Sequence, residues 1–122
     1  MVSQTTESRW KDIFDCLKNA GFDVYSPGVK IGDVKEPYLV VKKEGSTRRV
    51  GISTNEDYYS VMVFTPQTMY SETDPMVQKV LKEMKKLEPM ILPYGQQTPT
   101  WFDSSIKGYM TSIMYKNYKK MY

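Results

Sequence analysis

The sequence predicts an α+β fold: a mostly antiparallel sheet with two helices packed on one face and one projecting hairpin. Three observations lead there. Two segments, around residues 10–17 and 77–87, place apolar residues at helical spacing, whereas residues 38–41, 58–65 and 106–118 show the continuous or alternating apolar pattern of strands. The strands come in runs instead of alternating strictly with helices, which favours an antiparallel sheet. The length, 122 residues with 40% apolar and 25% charged, is that of one domain spanning 1–122. A chain of this size buries roughly two-thirds of the surface it exposes when unfolded, so it needs neither disulfides nor a structural metal.

The first helix is expected over about Thr6 to Ala20. Trp10, Ile13, Phe14 and Leu17 form one apolar stripe, with Arg9, Lys11, Asp12, Asp15 and Lys18 mostly off it. Ser3, Thr5 and Thr6 offer N-cap oxygens, Glu7 stands four residues before Lys11, and Gly21 suits the left-handed stop after Asn19-Ala20. Phe22 to Tyr25 reads as a short strand ended by Ser26-Pro27-Gly28, and Val29 to Glu36 as a loop. Tyr38 to Val41 is a strand with Pro37 at its start. Polar Lys42-Lys43-Glu44-Gly45-Ser46 is expected to be the hairpin tip, Thr47 to Ser53 the return strand, and Thr54-Asn55-Glu56-Asp57 a turn.

Tyr58 to Thr65 carries the strongest strand pattern and is expected to be central, covered on both faces, until Pro66 stops it. The second helix is expected from Thr73, an N-cap candidate, through Val77, Val80, Leu81, Met84 and Leu87 to Pro89. Asp74 and Pro75 fall in its opening turn, and Lys79, Lys82, Lys85 and Lys86 face away. Met90 to Leu92 suggests a short strand, and Tyr94 to Asp103 a loop. Ile106 to Tyr118 alternates as a long last strand, with Tyr109, Thr111, Ile113 and Tyr115 on one side and Gly108, Met110, Ser112 and Met114 on the other.

Composition narrows the function. The chain has no histidine, which removes the commonest general base and the commonest metal ligand. The single cysteine, Cys16, forms no internal disulfide, and without histidine to activate it a boundary thiol is the simpler reading. Asp12 and Asp15 share a helical face but lie off the apolar stripe, and Glu56-Asp57 and Glu72-Thr73-Asp74 look like turn and cap chemistry. Asp103, Asp57 and Glu36 have no spacing that argues for a metal site, and no glycine-rich phosphate loop is present. No cofactor and no enzymatic activity are expected. No apolar run is long enough to span a membrane, and residues 1–9 lack the apolar core of a signal peptide, so a reducing compartment is expected.

Charge is more informative. The net charge is +3, with Lys42, Lys43, Arg48 and Arg49 gathered on the expected hairpin. Lys107, Lys116, Lys119 and Lys120 lie on the last strand and tail, interleaved with Tyr109, Tyr115, Tyr118 and Tyr122. Basic and aromatic residues together make a single-stranded nucleic-acid surface or a protein interface. They also arise where lysines merely solvate exposed strand positions. Nine methionines suit core filling and adaptable contact surfaces alike.

One resemblance spans nearly the whole chain. It rests on the helix ending at Gly21, Tyr25-Ser26-Pro27-Gly28, and Lys35-Glu36-Pro37-Tyr38-Leu39-Val40-Val41-Lys42. The Gly45-Ser46 hairpin, the strand ending at Pro66, the lysine-rich second helix and the Asp103-to-Tyr115 ending complete it. In this layout the chain resembles the tail terminator, or tail completion, proteins of long-tailed bacteriophages and phage-tail-like particles. The resemblance implies a non-enzymatic subunit of a hexameric ring that caps the tail tube, ends its polymerisation and offers a head-joining surface. Its partners would be copies of itself, the tail tube protein and the head connector, with DNA threading the ring unread. Its place would be the head-proximal end of the virion tail, after assembly in the host cytoplasm. Exposure and charge, not a family motif, make Lys42, Lys43, Arg48 and Arg49 the candidate ring or partner contacts, with Tyr109 and Tyr115 beside them on the last strand. The alternative is a small basic nucleic-acid-binding module; a minor nuclease is disfavoured by the absence of histidine.

Overall fold

The structure, a computed structural model, describes residues 9–48, 54–95 and 97–120. In order they form α1 (Trp10–Asn19), β1 (Val24–Tyr25), β2 (Tyr38–Arg48), β3 (Thr54–Pro66) and α2 (Tyr70–Met84). A 3-10 turn (Lys85–Leu87), β4 (Leu92–Pro93), β5 (Trp101–Asp103) and β6 (Gly108–Lys120) follow. The sheet order is β1-β2-β3-β6-β4, with β5 also on β6; every pairing is antiparallel except β1 with β2. This is the expected α+β architecture.

Both helices lie on one face because both have a single apolar stripe. Ile13 and Leu17 from α1 and Val77, Val80 and Met84 from α2 are buried against Leu39, Val41, Tyr59, Val61, Val63, Ile113 and Tyr115. Each fully buried aliphatic side chain contributes about 1.5–3 kcal/mol by leaving water. Trp10 adds an indole N–H bond to the Val41 carbonyl at 2.6 Å. The stop at Gly21 is the expected one. Its φ of +100° lets the Gly21 N–H reach the Lys18 carbonyl and the Phe22 N–H the Leu17 carbonyl, closing the last turn of α1. The helix begins at Trp10 with Arg9 as N-cap; the candidate caps Ser3, Thr5 and Thr6 lie outside the described residues.

The other face is covered in part by the loop between β1 and β2. Val34 packs there with Tyr38 and Val40, beside Tyr25, Met62, Phe64 and Ile106. Its N–H donates to the Ile106 carbonyl at 2.7 Å. β3 is therefore central and covered on both faces along its second half, as its apolar run implies.

The hairpin departs from expectation. Residues 42–46 are not its tip: β2 runs on to Arg48, and 54–57 is not a turn but the start of β3. Most of the expected return strand, residues 49–53 with Arg49 among them, lies outside the described residues. Two causes are visible. Gly45, at φ +144°, makes a bulge where the register shifts between Lys43 and Gly45, so the glycine bends the strand without reversing it. The acidic residues that suggest a turn are held as strand by hydroxyl donors. Ser46 Oγ donates to Asp57 Oδ1, Tyr58 Oη to Glu56 Oε1 at 2.6 Å, and Ser60 Oγ to Glu44 Oε2 at 2.6 Å.

The second helix also starts earlier than expected. Its N-cap is Met69, and Thr73 is a buried residue of the first turn whose hydroxyl pairs with that of Thr65 at 2.6 Å. Pro75 sits inside the helix, where its ring removes the bond to the Ser71 carbonyl. The segment 94–103, expected to be a loop throughout, ends in β5.

Candidate contact surfaces

The period of two in a strand divides the candidate basic residues. Lys43 lies opposite Tyr59 on the helix-bearing face, and Lys42 lies opposite Ser60 on the other. Both are exposed, and Lys42 pairs with Glu44 at 3.8 Å. Arg48 is placed in β2 opposite Asn55, not on the return strand. Lys107 is exposed and pairs with Asp33 at 3.6 Å across the turn into β6. Lys42 and Lys43 therefore do not share a face, and the side chains of Arg48 and Arg49 lie outside what the structure describes.

The tyrosines part as well. Tyr115 is 2% exposed and belongs to the core, so it is no surface contact of this chain; the alternation placed it correctly on a face, and the helices then covered that face. Tyr109 is half-buried and ringed by aromatics, with Tyr70 at 4.9 Å and Phe102 at 5.3 Å between centroids. One basic–aromatic cluster does form. Lys116 Nζ sits 5.4 Å above the Tyr94 ring, which in turn packs 4.9 Å from Tyr58. It draws on a loop residue that sequence reading left aside.

The largest feature missed in sequence is β5. Trp101 is 58% exposed, Phe102 44% and Tyr70 61%. Pairing with β6 places Phe102 opposite Tyr109 and Trp101 opposite Met110, so the short strand presents an aromatic ring on each face. Beside Trp101 lies an open cavity of about 370 Å³ lined by Thr98, Pro99, Met110 and Ser112. Among the described residues β5 pairs only with β6, so its outer edge carries unused backbone donors and acceptors. The signal was present: an adjacent Trp-Phe pair has high strand propensity and is costly in water. A second exposed apolar pair, Val29 and Ile31, flanks Lys30, whose ammonium lies 5.2 Å from the Tyr25 ring and 5.5 Å from the Tyr38 ring.

Titratable groups offer little chemistry. Cys16 donates to the Glu83 carbonyl at 3.5 Å, and burial followed by the Glu83 carboxylate raises its pKa, which disfavours the thiolate. The Ser105 hydroxyl and N–H both donate to Asp103 and hold its carboxyl below the ordinary value, a turn-closing arrangement. Among the described residues no three His, Cys, Asp or Glu side chains converge to hold a metal ion, and no helix is long and apolar enough to cross a membrane. Comparison with protein-family models and with curated proteins finds no match to this chain.

Proposed function

We propose that this chain is a structural subunit of the tail terminator kind, one that closes with its own copies into a hexameric ring on the end of a phage tail tube. One observation carries the reading beyond the sequence resemblance: two different contact elements stand at opposite ends of β6. The exposed Trp101–Phe102 strand pairs with its first residues, Gly108 to Met110. The other end runs past the last core row, Tyr59 with Tyr115, as a three-stranded extension in which Asp57 pairs with Asn117 and Thr54 with Lys120. From Met110 to Asn117 the strand spans about 23 Å at the usual rise per residue. Unlike surfaces so separated suit heterologous, head-to-tail contacts, which close into a ring when the rotation per subunit divides a full turn. An open strand edge flanked by aromatic rings is the kind of surface that takes up a neighbour's backbone.

The test is to mix the purified chain with tail tubes built from the tube protein of the same genome, and to follow mass and tube length by sedimentation and electron microscopy. Rings at one tube end and an arrest of tube growth are expected. A subunit that stays single and leaves tubes growing overturns the reading. The nucleic-acid alternative draws on the Lys116–Tyr94–Tyr58 cluster. It requires single-strand binding that weakens steeply with salt, in proportion to several phosphate contacts.

A further inference from the structure

Two exposed apolar features share the loop-bearing face of the sheet, one convex and one concave. The first is the tip of the loop between β1 and β2. Val29 is 60% and Ile31 85% exposed, and among the described residues no other branched aliphatic side chain is exposed. Lys30 between them is drawn down onto the sheet, its ammonium 5.2 Å from the Tyr25 ring and 5.5 Å from the Tyr38 ring. The base of the loop is pinned by the Val34 N–H on the Ile106 carbonyl at 2.7 Å and by Asp33 with Lys107 at 3.6 Å. The tip is thus a preorganised apolar knob, which gives up little freedom when it docks. The second feature is the cavity of about 370 Å³ beside Trp101, lined by Thr98, Pro99, Met110 and Ser112 and by no charged side chain. The row Tyr38–Phe64–Met110–Trp101 crosses β2, β3, β6 and β5, and its two ends lie about 14 Å apart at the usual strand spacing. Lys30 ties the knob to the Tyr38 end and the cavity lies at the Trp101 end, so a chain does not fill its own cavity.

We propose that the cavity takes up a second copy of this chain: Val29 and Ile31 of one copy seat beside Trp101 of the next. This rests on the ring reading and names what meets the β5 side of each subunit. Charge selects this occupant. The cavity holds no countercharge for a phosphate or an ionic side chain, and the one cation of the tip is already held on tyrosine rings, so docking buries no unpaired charge. Apolar knob and apolar cavity are each costly to leave in water. Because they are unlike, their contact is head-to-tail. Any open row of copies keeps a free knob at one end and a free cavity at the other, and closure into a ring satisfies both.

Cysteines placed across the contact test it. Ile31→Cys and Pro99→Cys chains, each altered at an exposed position, are mixed with tail tubes, oxidised mildly and run on non-reducing gels. The parent chain, whose single Cys16 is half-buried, and a mixture of Ile31→Cys with Lys43→Cys, exposed on the helix-bearing face, are the controls. A disulfide-linked dimer is expected from the Ile31→Cys and Pro99→Cys mixture and not from either chain alone or from the controls. Val29→Asp with Ile31→Asp should keep the parent's melting temperature and raise at least about tenfold the concentration at which rings form on tubes. If the parent forms rings but the mixture gives no link, links equally well through Lys43→Cys, or the aspartate variant forms rings as readily as the parent, the proposal is overturned and the ring reading stands. If the parent forms no rings, the ring reading falls, and the same mixture at raised concentration without tubes decides the contact. A selective link there upholds it, and no link overturns it as well.

Discussion

At the scale of single residues, polar groups buried beneath the helices matter as much as the apolar ones around them. Thr65 and Thr73 are each almost fully buried and satisfy one another across the β3–α2 junction. Thr73→Val should cost about 1–3 kcal/mol by stranding the Thr65 hydroxyl, and adding Thr65→Val should recover much of that loss, as read from urea midpoints of the two variants. Neither residue reveals this in sequence, where Thr73 looks like a cap. The Tyr115 hydroxyl makes the opposite case, a buried group without a hydrogen-bond partner among the described residues. Burial, followed by the Glu88 carboxylate, raises its pKa in the folded state. Above a pH of about 10 the unfolded chain releases this proton while the folded chain retains it, so stability falls as pH rises. The expected decline is up to about 1.4 kcal/mol per pH unit. Denaturation midpoints between pH 9 and 11 should show that component in the parent chain and lack it in Tyr115→Phe.

At the scale of elements, the stripes of both helices and the alternation of the last strand could be read directly, because each follows from a repeat that burial enforces. Boundaries were less legible where polar residues lay within strands. Lys42 to Ser46 and Thr54 to Asp57 look like turns only while their partners are unknown; cross-strand hydroxyls and a bulge at Gly45 keep them extended. The loop between β1 and β2 shows a further dependence. It is seated by Val34 against Gly108, where an added Cβ would meet Val34 Cβ and Cγ2 at 2.8 Å and the Thr65 carbonyl at 2.9 Å. Gly108→Ala should therefore displace the loop or strain the β3–β6 pairing. A loss of about 1–3 kcal/mol is expected in chemical denaturation, together with faster hydrogen exchange at the Val34 N–H. A variant as stable as the parent would show that the loop is not held by this contact.

At the scale of the whole molecule, the sheet has been made asymmetric. One face is sealed by helices, the other is partly covered by a loop, and the two ends of β6 carry unlike structures. On the ring reading, the aromatic strand β5 is one of the two joining surfaces. Trp101→Lys should leave folding nearly unchanged, since this side chain is 58% exposed, while abolishing rings in sedimentation velocity runs that contain tail tubes. Rings formed as readily as by the parent chain would remove β5 from the interface. The dispersed lysines have a different place in such an assembly. Lys42 and Lys43 point to opposite faces and cannot act as a single basic patch.

The sequence by itself determined the class of fold, the two helical stripes, the stop at Gly21 and which residues of β6 share a face. These depend on local period and backbone preference, which neighbours in the chain suffice to express. Only the tertiary structure decided that Tyr115 is core, that β5 is an aromatic edge, that residues 42–48 and 54–57 pair as one long hairpin, and that the Tyr115 hydroxyl is buried without a hydrogen-bond partner among the described residues. Each of these depends on which surfaces meet across long stretches of chain. Burial and hydrogen-bond satisfaction belong to that meeting, not to any residue alone.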